Sequence, residues 1–256
     1  GVLSICSELG YELGVHPCRY KSEGFIEDCI HFVRRSNIDG VIILPPVSES
    51  KLLADTLQSK HINYVRMASV DLDDHKNIVV SDDRAALRDL ARYMVSLGHT
   101  DIGIISGPQQ YYSSKERLEG FLETLQSLNV DVPPSRIVEG KNSFESGIEC
   151  ARHLLIQSPR VKAIFANNDE MAAGVLKVAH EMGIAVPDDL SVAGFDDNLL
   201  AARVIPALTT VQRPVGDMAA IAARKIIAHI QGKEVSESET YLVKPHLIIR
   251  DSIKKV

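Results

Sequence analysis

Short apolar runs rich in β-branched residues alternate with amphipathic stretches along almost the whole chain. The runs are Gly40–Leu44, Ile62–Met67, Ile78–Val80, Ile102–Ser106, Lys162–Ala166 and Leu190–Phe195. Each is largely apolar throughout rather than alternating, which suits parallel strands covered by helices on both faces. Helical periodicity fills the intervals at Glu23–Arg35, Arg84–Leu97, Ser114–Leu128, Phe144–Gln157, Glu170–Met182 and Val215–Ile230. Gly98, Gly183 and Gly232 stand where helices need a left-handed C-terminal residue. Such alternation predicts an α/β protein of doubly wound parallel sheets, and the length holds two. In open α/β sheets ligands bind beyond the carboxyl ends of the strands, so the residues just after each strand carry the functional reading.

Composition excludes several partners. Lys and Arg number 28 against 34 Asp and Glu, a net charge of −6, and no basic cluster stands out. Specific DNA binding by these residues alone is therefore not expected. No apolar run reaches the ~20 residues of a membrane span, no signal-like start is present, and the expected location is cytoplasmic. The cysteines are Cys6, Cys18, Cys29 and Cys150, irregularly spaced, so no disulfide framework is expected. A metal reading of His16, Cys18, Cys29 and His31 fails on periodicity, because positions i and i+2 of a helix do not share a face. Packed thiols with surface histidines are the expectation, with no metal and no cofactor.

Enzyme signatures are missing: there is no phosphate loop, dinucleotide turn, zinc helix or nucleophile elbow. Four Asp-Asp doublets remain. For Asp73, Asp74, Asp188 and Asp189 helix capping is the expected role. The strand ends instead offer Tyr111, Ser113 and Arg117 after the fourth run, Asn167, Asn168 and Asp169 after the fifth, and Asp196 and Asp197 after the sixth. Donors, acceptors and an aromatic face are what a polyhydroxylated ligand needs. Each taken alone could be a cap or a core residue.

Gly98-His99 before a strand, Gly107-Pro108, RLEGF (Arg117–Phe121), NDEMAAG (Asn168–Gly174), VAGFDD (Val192–Asp197) and PALTTV (Pro206–Val211) follow in order. Together they closely resemble the effector-binding core of LacI-type bacterial transcription repressors, from residue 1 to about Arg250. The resemblance implies a periplasmic-binding-protein-like fold, with one subdomain of residues 1–81 plus 213–241 and another of 82–212 plus 242–256, joined by crossover strands. It implies a homodimer, a sugar or related polar effector bound between the lobes, and operator DNA contacted through an N-terminal headpiece. Carried over by position, the effector contacts are Arg117, Asp196, Asn168, Ser113, Tyr111, Asn142 and Arg213, with Asp82, Val47 and Ser48 from weaker matches. Asn142 stands where many relatives have a stacking aromatic ring, and Ala68 where an Asp is frequent, so no relative's ligand is carried over.

Gly1–Leu9 matches the second half of the family's first helix, leading into a strand at Tyr11–His16. The family's first strand and headpiece would then lie upstream. The rival readings are a periplasmic sugar-binding protein of a transporter and a sugar-active enzyme using Asp196 or Asp82. For the homodimer, the stripe of Met218, Ile221, Ala222 and Ile226 supplies one apolar face, which a helix covering its own sheet would also show.

Overall fold

A computed structural model describes residues 1–20, 22–233 and 241–256. The helices are α1 (Val2–Leu9), α2 (Phe25–Arg35), α3 (Lys51–Ser59), α4 (Asp83–Ser96), α5 (Tyr112–Ser127), α6 (Phe144–Leu155), α7 (Asp169–Glu181) and α8 (Val215–Ile230). The strands are β1 (Gly40–Ile43), β2 (Asn63–Ala68), β3 (Ile78–Ser81), β4 (Ile102–Ser106) and β5 (Ile137–Glu139). They continue with β6 (Ala163–Ala166), β7 (Ser191–Ala193), β8 (Thr210–Gln212), β9 (Leu242–Val243) and β10 (His246–Ile248). The chain divides into two compact units, Gly1–Asp82 with Pro214–Val243 and Asp83–Arg213 with Lys244–Val256. Residues 234–240, part of the stretch assigned above to the first subdomain, lie outside the described residues.

Unit 1 holds a parallel sheet in the order β1-β2-β3-β9. On one face α8 packs against β1, β2 and β3 and against α1. Met218, Ala222 and Ile226 are buried there with Val65, Met67 and Val79. The apolar stripe of α8 is thus spent on its own sheet and gives no argument for a dimer. On another side of β1 and β2, Ile30 of α2 packs with Leu53, Ala54 and Leu57 of α3 and with Tyr64. Helix α3 was not anticipated: it has nine residues, and its start is marked by Ser50, whose hydroxyl accepts from the Leu53 amide.

Tyr11–His16 is not a strand. The strand expected there from the resemblance finds no neighbour to hydrogen-bond with among the described residues, because the sheet ends at β1, and an extended segment without a partner does not become a strand. Leu13 and Val15 are exposed, while His16 stacks on Phe32 at 4.3 Å and bonds Asp28 at 3.0 Å.

Unit 2 holds a second parallel sheet, β5-β4-β6-β7, plus the antiparallel pair β8-β10. Helices α6 and α7 pack together on one core, where Leu154, Ile164, Val175 and Val192 are fully buried. Helices α4 and α5 pack together on another with Leu87, Ile104 and Phe121, whose ring stacks on Phe165 at 4.7 Å. Gly98, Gly183 and Gly232 take φ of 95°, 67° and 64°, the left-handed geometry read from the sequence.

The capping reading of the doublets needs correction. Asp73 accepts from the Tyr64 hydroxyl and the Arg66 guanidinium, and Asp74 makes no side-chain cap bond. Asp189 accepts from the Ala185 amide, and Asp188 pairs with Lys254.

Candidate functional site

The carboxyl edge of the unit 2 sheet is built around Arg117. The side chain rises from α5, 5% exposed, and its guanidinium lies 3.6 Å above the Phe195 ring. Nε donates to Asp83 Oδ2 at 2.9 Å, Nη1 to the Asn167 carbonyl at 2.7 Å, and Nη2 reaches Asp196 Oδ1 at 3.5 Å. One side chain therefore ties the start of α4 to the ends of β6 and β7. Arg213 adds a second cation, Nε 3.8 Å from Asp83 Oδ1. Burial pushes the Asp196 carboxyl above the usual carboxylate range, and Arg117 and Arg213 pull against that.

Three amides form the adjoining wall. Asn168 caps α7 by accepting from the Met171 amide at 2.9 Å, and its Nδ2 donates to the Asn142 carbonyl at 3.0 Å. Asn167 donates to Asn142 Oδ1 at 2.9 Å. Asn142 has φ of 58°, a left-handed conformation that Asn tolerates better than an aromatic residue would. Gly107 is required here: a Cβ would come within 2.8 Å of Asn167, Ser114 and Asn142 side-chain atoms. Beside this wall lies a cavity of about 590 Å³ lined by Pro108, Gln109, Gln110, Tyr111, Glu139, Lys141 and Asn142.

Of the residues assigned from the sequence, Arg117, Asp196 and Arg213 meet in one charged cluster, and Asn142 and Asn168 in the amide wall. Tyr111 lines the cavity and Ser113 sits in the first turn of α5. Asn168 commits both ends of its amide to the protein. Asp82, Val47 and Ser48 belong to unit 1. The Asp82 amide closes on the Val243 carbonyl, and the acid facing Arg117 is its neighbour Asp83, fully buried. Val47 packs into the core beside α3. Ser48 is 1% exposed, with its carbonyl held by Arg66 Nε at 2.7 Å.

Sequence reading missed Asp83, Ser114, Arg66 and the weight carried by Asp169. The only signal for Asp83 was its place in a doublet at a helix start. Ser114 Oγ is buried without a hydrogen-bond partner among the described residues. Asp169 is fully buried, accepting from Thr210 Oγ1 at 2.6 Å and the Asn198 amide at 2.9 Å. Burial pushes its carboxyl up to about 7; the bonds from Thr210 and Asn198 oppose this, while the charges of Asp196 and Asp197 add to it. No group of three or more His, Cys, Asp or Glu able to hold a metal occurs among the described residues. No helix among them is long and apolar enough to cross a membrane.

Comparison with known proteins agrees with this architecture. Residues 91–253 match the family of periplasmic binding protein-like domains. A curated relative, the "Probable HTH-type transcriptional repressor ExuR" of Bacillus subtilis, is 31% identical over 85% of this chain. The alignment spans 65% of that relative, just under two thirds of its length. A solved complex of the transcriptional regulator CelR with cellobiose superposes at a TM-score of 0.85 with 27% identity, covering 98% of this chain and 76% of that one. A LacI-family regulatory protein from Chloroflexus aggregans superposes at 0.86 with 26% identity, covering 100% and 90%. The chain belongs to the periplasmic binding protein-like domain family, in the branch represented by the LacI-type transcription regulators.

Proposed function

We propose that this chain is the effector-sensing core of a cytoplasmic LacI-type repressor, binding a sugar or glycoside at the carboxyl edge of the unit 2 sheet. The observation that carries the reading is the Arg117 cluster beside the amide-walled cavity. The Asp196 carboxylate, held between Arg117 and Arg213, offers vicinal hydroxyls charge-assisted bonds, and Tyr111 at the cavity wall offers an apolar face. A sugar is favoured because cellobiose is bound by the CelR regulator that superposes on this chain. Operator DNA would be contacted through sequence beyond these residues. The effector acts by differential affinity for two conformations, with ~1–3 kcal/mol of coupling between sites. The matched relatives are regulators, which favours sensing over transport and over catalysis.

A thermal-shift panel on the purified chain tests this, with cellobiose and monosaccharides against purines. A ligand at one hundred times its Kd stabilises the native state by ~2.7 kcal/mol, read as a raised melting temperature. No shift with any sugar at millimolar concentration, or turnover of a glycoside, overturns the reading.

The homodimer belongs to the same proposal. Its support is the exposed apolar surface of unit 2, where Leu199 and Ile205 are 72% and 93% exposed. Around Leu200, Val204 and Ile205 runs a groove that Phe144 and Leu176 also line. Light scattering at micromolar protein checks it, and a monomer mass counts against it.

A further inference from the structure

We propose that Cys18 and Cys29 form a redox-responsive pair that closes to a disulfide when the chain meets an oxidised low-molecular-weight disulfide. The two sulfurs face each other at 3.4 Å, the distance of a weak thiol–sulfur hydrogen bond. Closing that gap to a bond of about 2.05 Å takes a side-chain adjustment of little more than 1 Å. Both side chains are partly exposed, unlike Cys6 and Cys150, which are buried. Reagent can therefore reach this pair and not the others.

The two residues belong to different kinds of structure. Cys29 is fixed in α2, packed with Phe25, Ile26 and Ile30. Cys18 lies in the irregular segment that found no strand partner. That segment meets α2 through side chains: His16 with Asp28 and Phe32, Tyr20 against Phe25 at 5.9 Å, and the two thiols. A segment held in this way can shift to let the bond form, and the bond would pin it to the helix. Disulfides in reducing compartments are characteristically transient and redox-sensing, which suits a strained or partly exposed pair.

The chemistry balances as a thiol–disulfide exchange. Burial and the adjacent Cys18 push the Cys29 thiol up, and Cys18, on the irregular segment outside α2, makes the first attack. The Cys18 thiolate attacks one sulfur of the external disulfide, forming a mixed disulfide and releasing one thiolate. Cys29 then gives up its proton and attacks Cys18 Sγ, forming the Cys18–Cys29 bond and releasing the second thiolate. Two protein thiols are oxidised, one external disulfide is reduced to two thiols, and the two protons lost by the protein end on them.

The full chain is incubated with oxidised glutathione, blocked with iodoacetamide and digested with trypsin without reduction. The expected product joins the peptide ending at Arg19 to the peptide Ser22–Arg34, and it disappears on reduction. Because Cys6 shares the first of these peptides, Cys6→Ser must retain the product, while Cys18→Ser and Cys29→Ser each abolish it. Complete alkylation of Cys18 and Cys29 in the treated wild type overturns the proposal. So does a product that survives Cys18→Ser, or one that links two chains on a non-reducing gel.

Discussion

Arg117 and Asp196 hold different positions, and replacing them has different consequences. Arg117 bonds Asp83, which is fully buried, so Arg117→Ala leaves that charge to Arg213 at 3.8 Å and should cost ~1–3 kcal/mol. Asp196 lies at the long end of the cluster, 3.5 Å from Arg117 Nη2, and burial already disfavours its charge, so Asp196→Asn should cost under ~1 kcal/mol. Asn also tolerates the positive φ of 110° at that position. Urea denaturation of both variants checks this; equal losses would mean that Asp83 is not held by Arg117. Sequence places Arg117 near a strand edge without revealing the buried Asp83 beneath it. Asp169 sets a pH dependence. Its folded pKa of about 7 stands above the unfolded 3.8, so the folded state holds the proton more tightly. Stability associated with that proton is fully present below about pH 4 and is lost as pH rises through 7. The loss is on the order of 4 kcal/mol. Subtracting an Asp169→Asn variant from wild type, in urea melts from pH 4 to 8, isolates this group. A flat difference across that range would show that Asp169 titrates as an ordinary carboxylate.

At the level of elements, the recognisable motifs turn out to be largely packing devices. Gly120 of RLEGF lets α5 approach α4, since a Cβ there would sit 2.6 Å from the Arg84 carbonyl oxygen. Gly174 of NDEMAAG does the same for α7 against α6, where a Cβ would sit 2.6 Å from the Phe144 carbonyl oxygen. Both collisions are with backbone, which cannot rotate away. Gly174→Ala should therefore destabilise by ~1–3 kcal/mol through overpacking. Gly216, in the first turn of α8, meets nothing within 4 Å. There the same substitution should stabilise by ~0.4–1 kcal/mol through the unfolded chain. Opposite signs in the two melting temperatures are the expected outcome, and a stabilised Gly174→Ala would refute the close approach. Long helices were legible because eleven to sixteen residues display a 3.6 period. The short elements β5, β8, β9 and β10 were not, since two or three residues carry no period. Tyr11–His16 misled in the opposite way: the resemblance places a strand there but says nothing about which neighbour it would pair with.

For the whole molecule, three crossings mean that neither unit is a continuous stretch of chain. Resemblance put the crossings after residues 81, 212 and 241, and the packing divides the chain after Asp82, Arg213 and Val243. Unit 2 therefore depends on its last segment, Lys244–Val256. Ser252 there is fully buried, its hydroxyl donating to the Val192 carbonyl at 2.6 Å and accepting from the Thr209 amide at 2.8 Å. The Val192 amide donates to the Ser252 carbonyl at 2.8 Å. Ile253 packs into the core with Leu90 and Ile102, and His99 bonds the Lys254 carbonyl. A fragment of residues 83–213 would lose all of this. Two buried amides without partners cost ~1–3 kcal/mol each, and the lost Ile253 burial a further ~1.5–3 kcal/mol. The sum rivals the ~5–15 kcal/mol that holds a whole domain folded. We therefore expect the fragment to show no cooperative urea transition, whereas Ser252→Ala in the full chain, which orphans the Thr209 amide, should cost only ~1–3 kcal/mol. Adding a peptide of residues 244–256 to the fragment should restore slow hydrogen exchange in β6 and β7. A fragment that already protects those strands as the full chain does would show that the segment merely decorates the sheet.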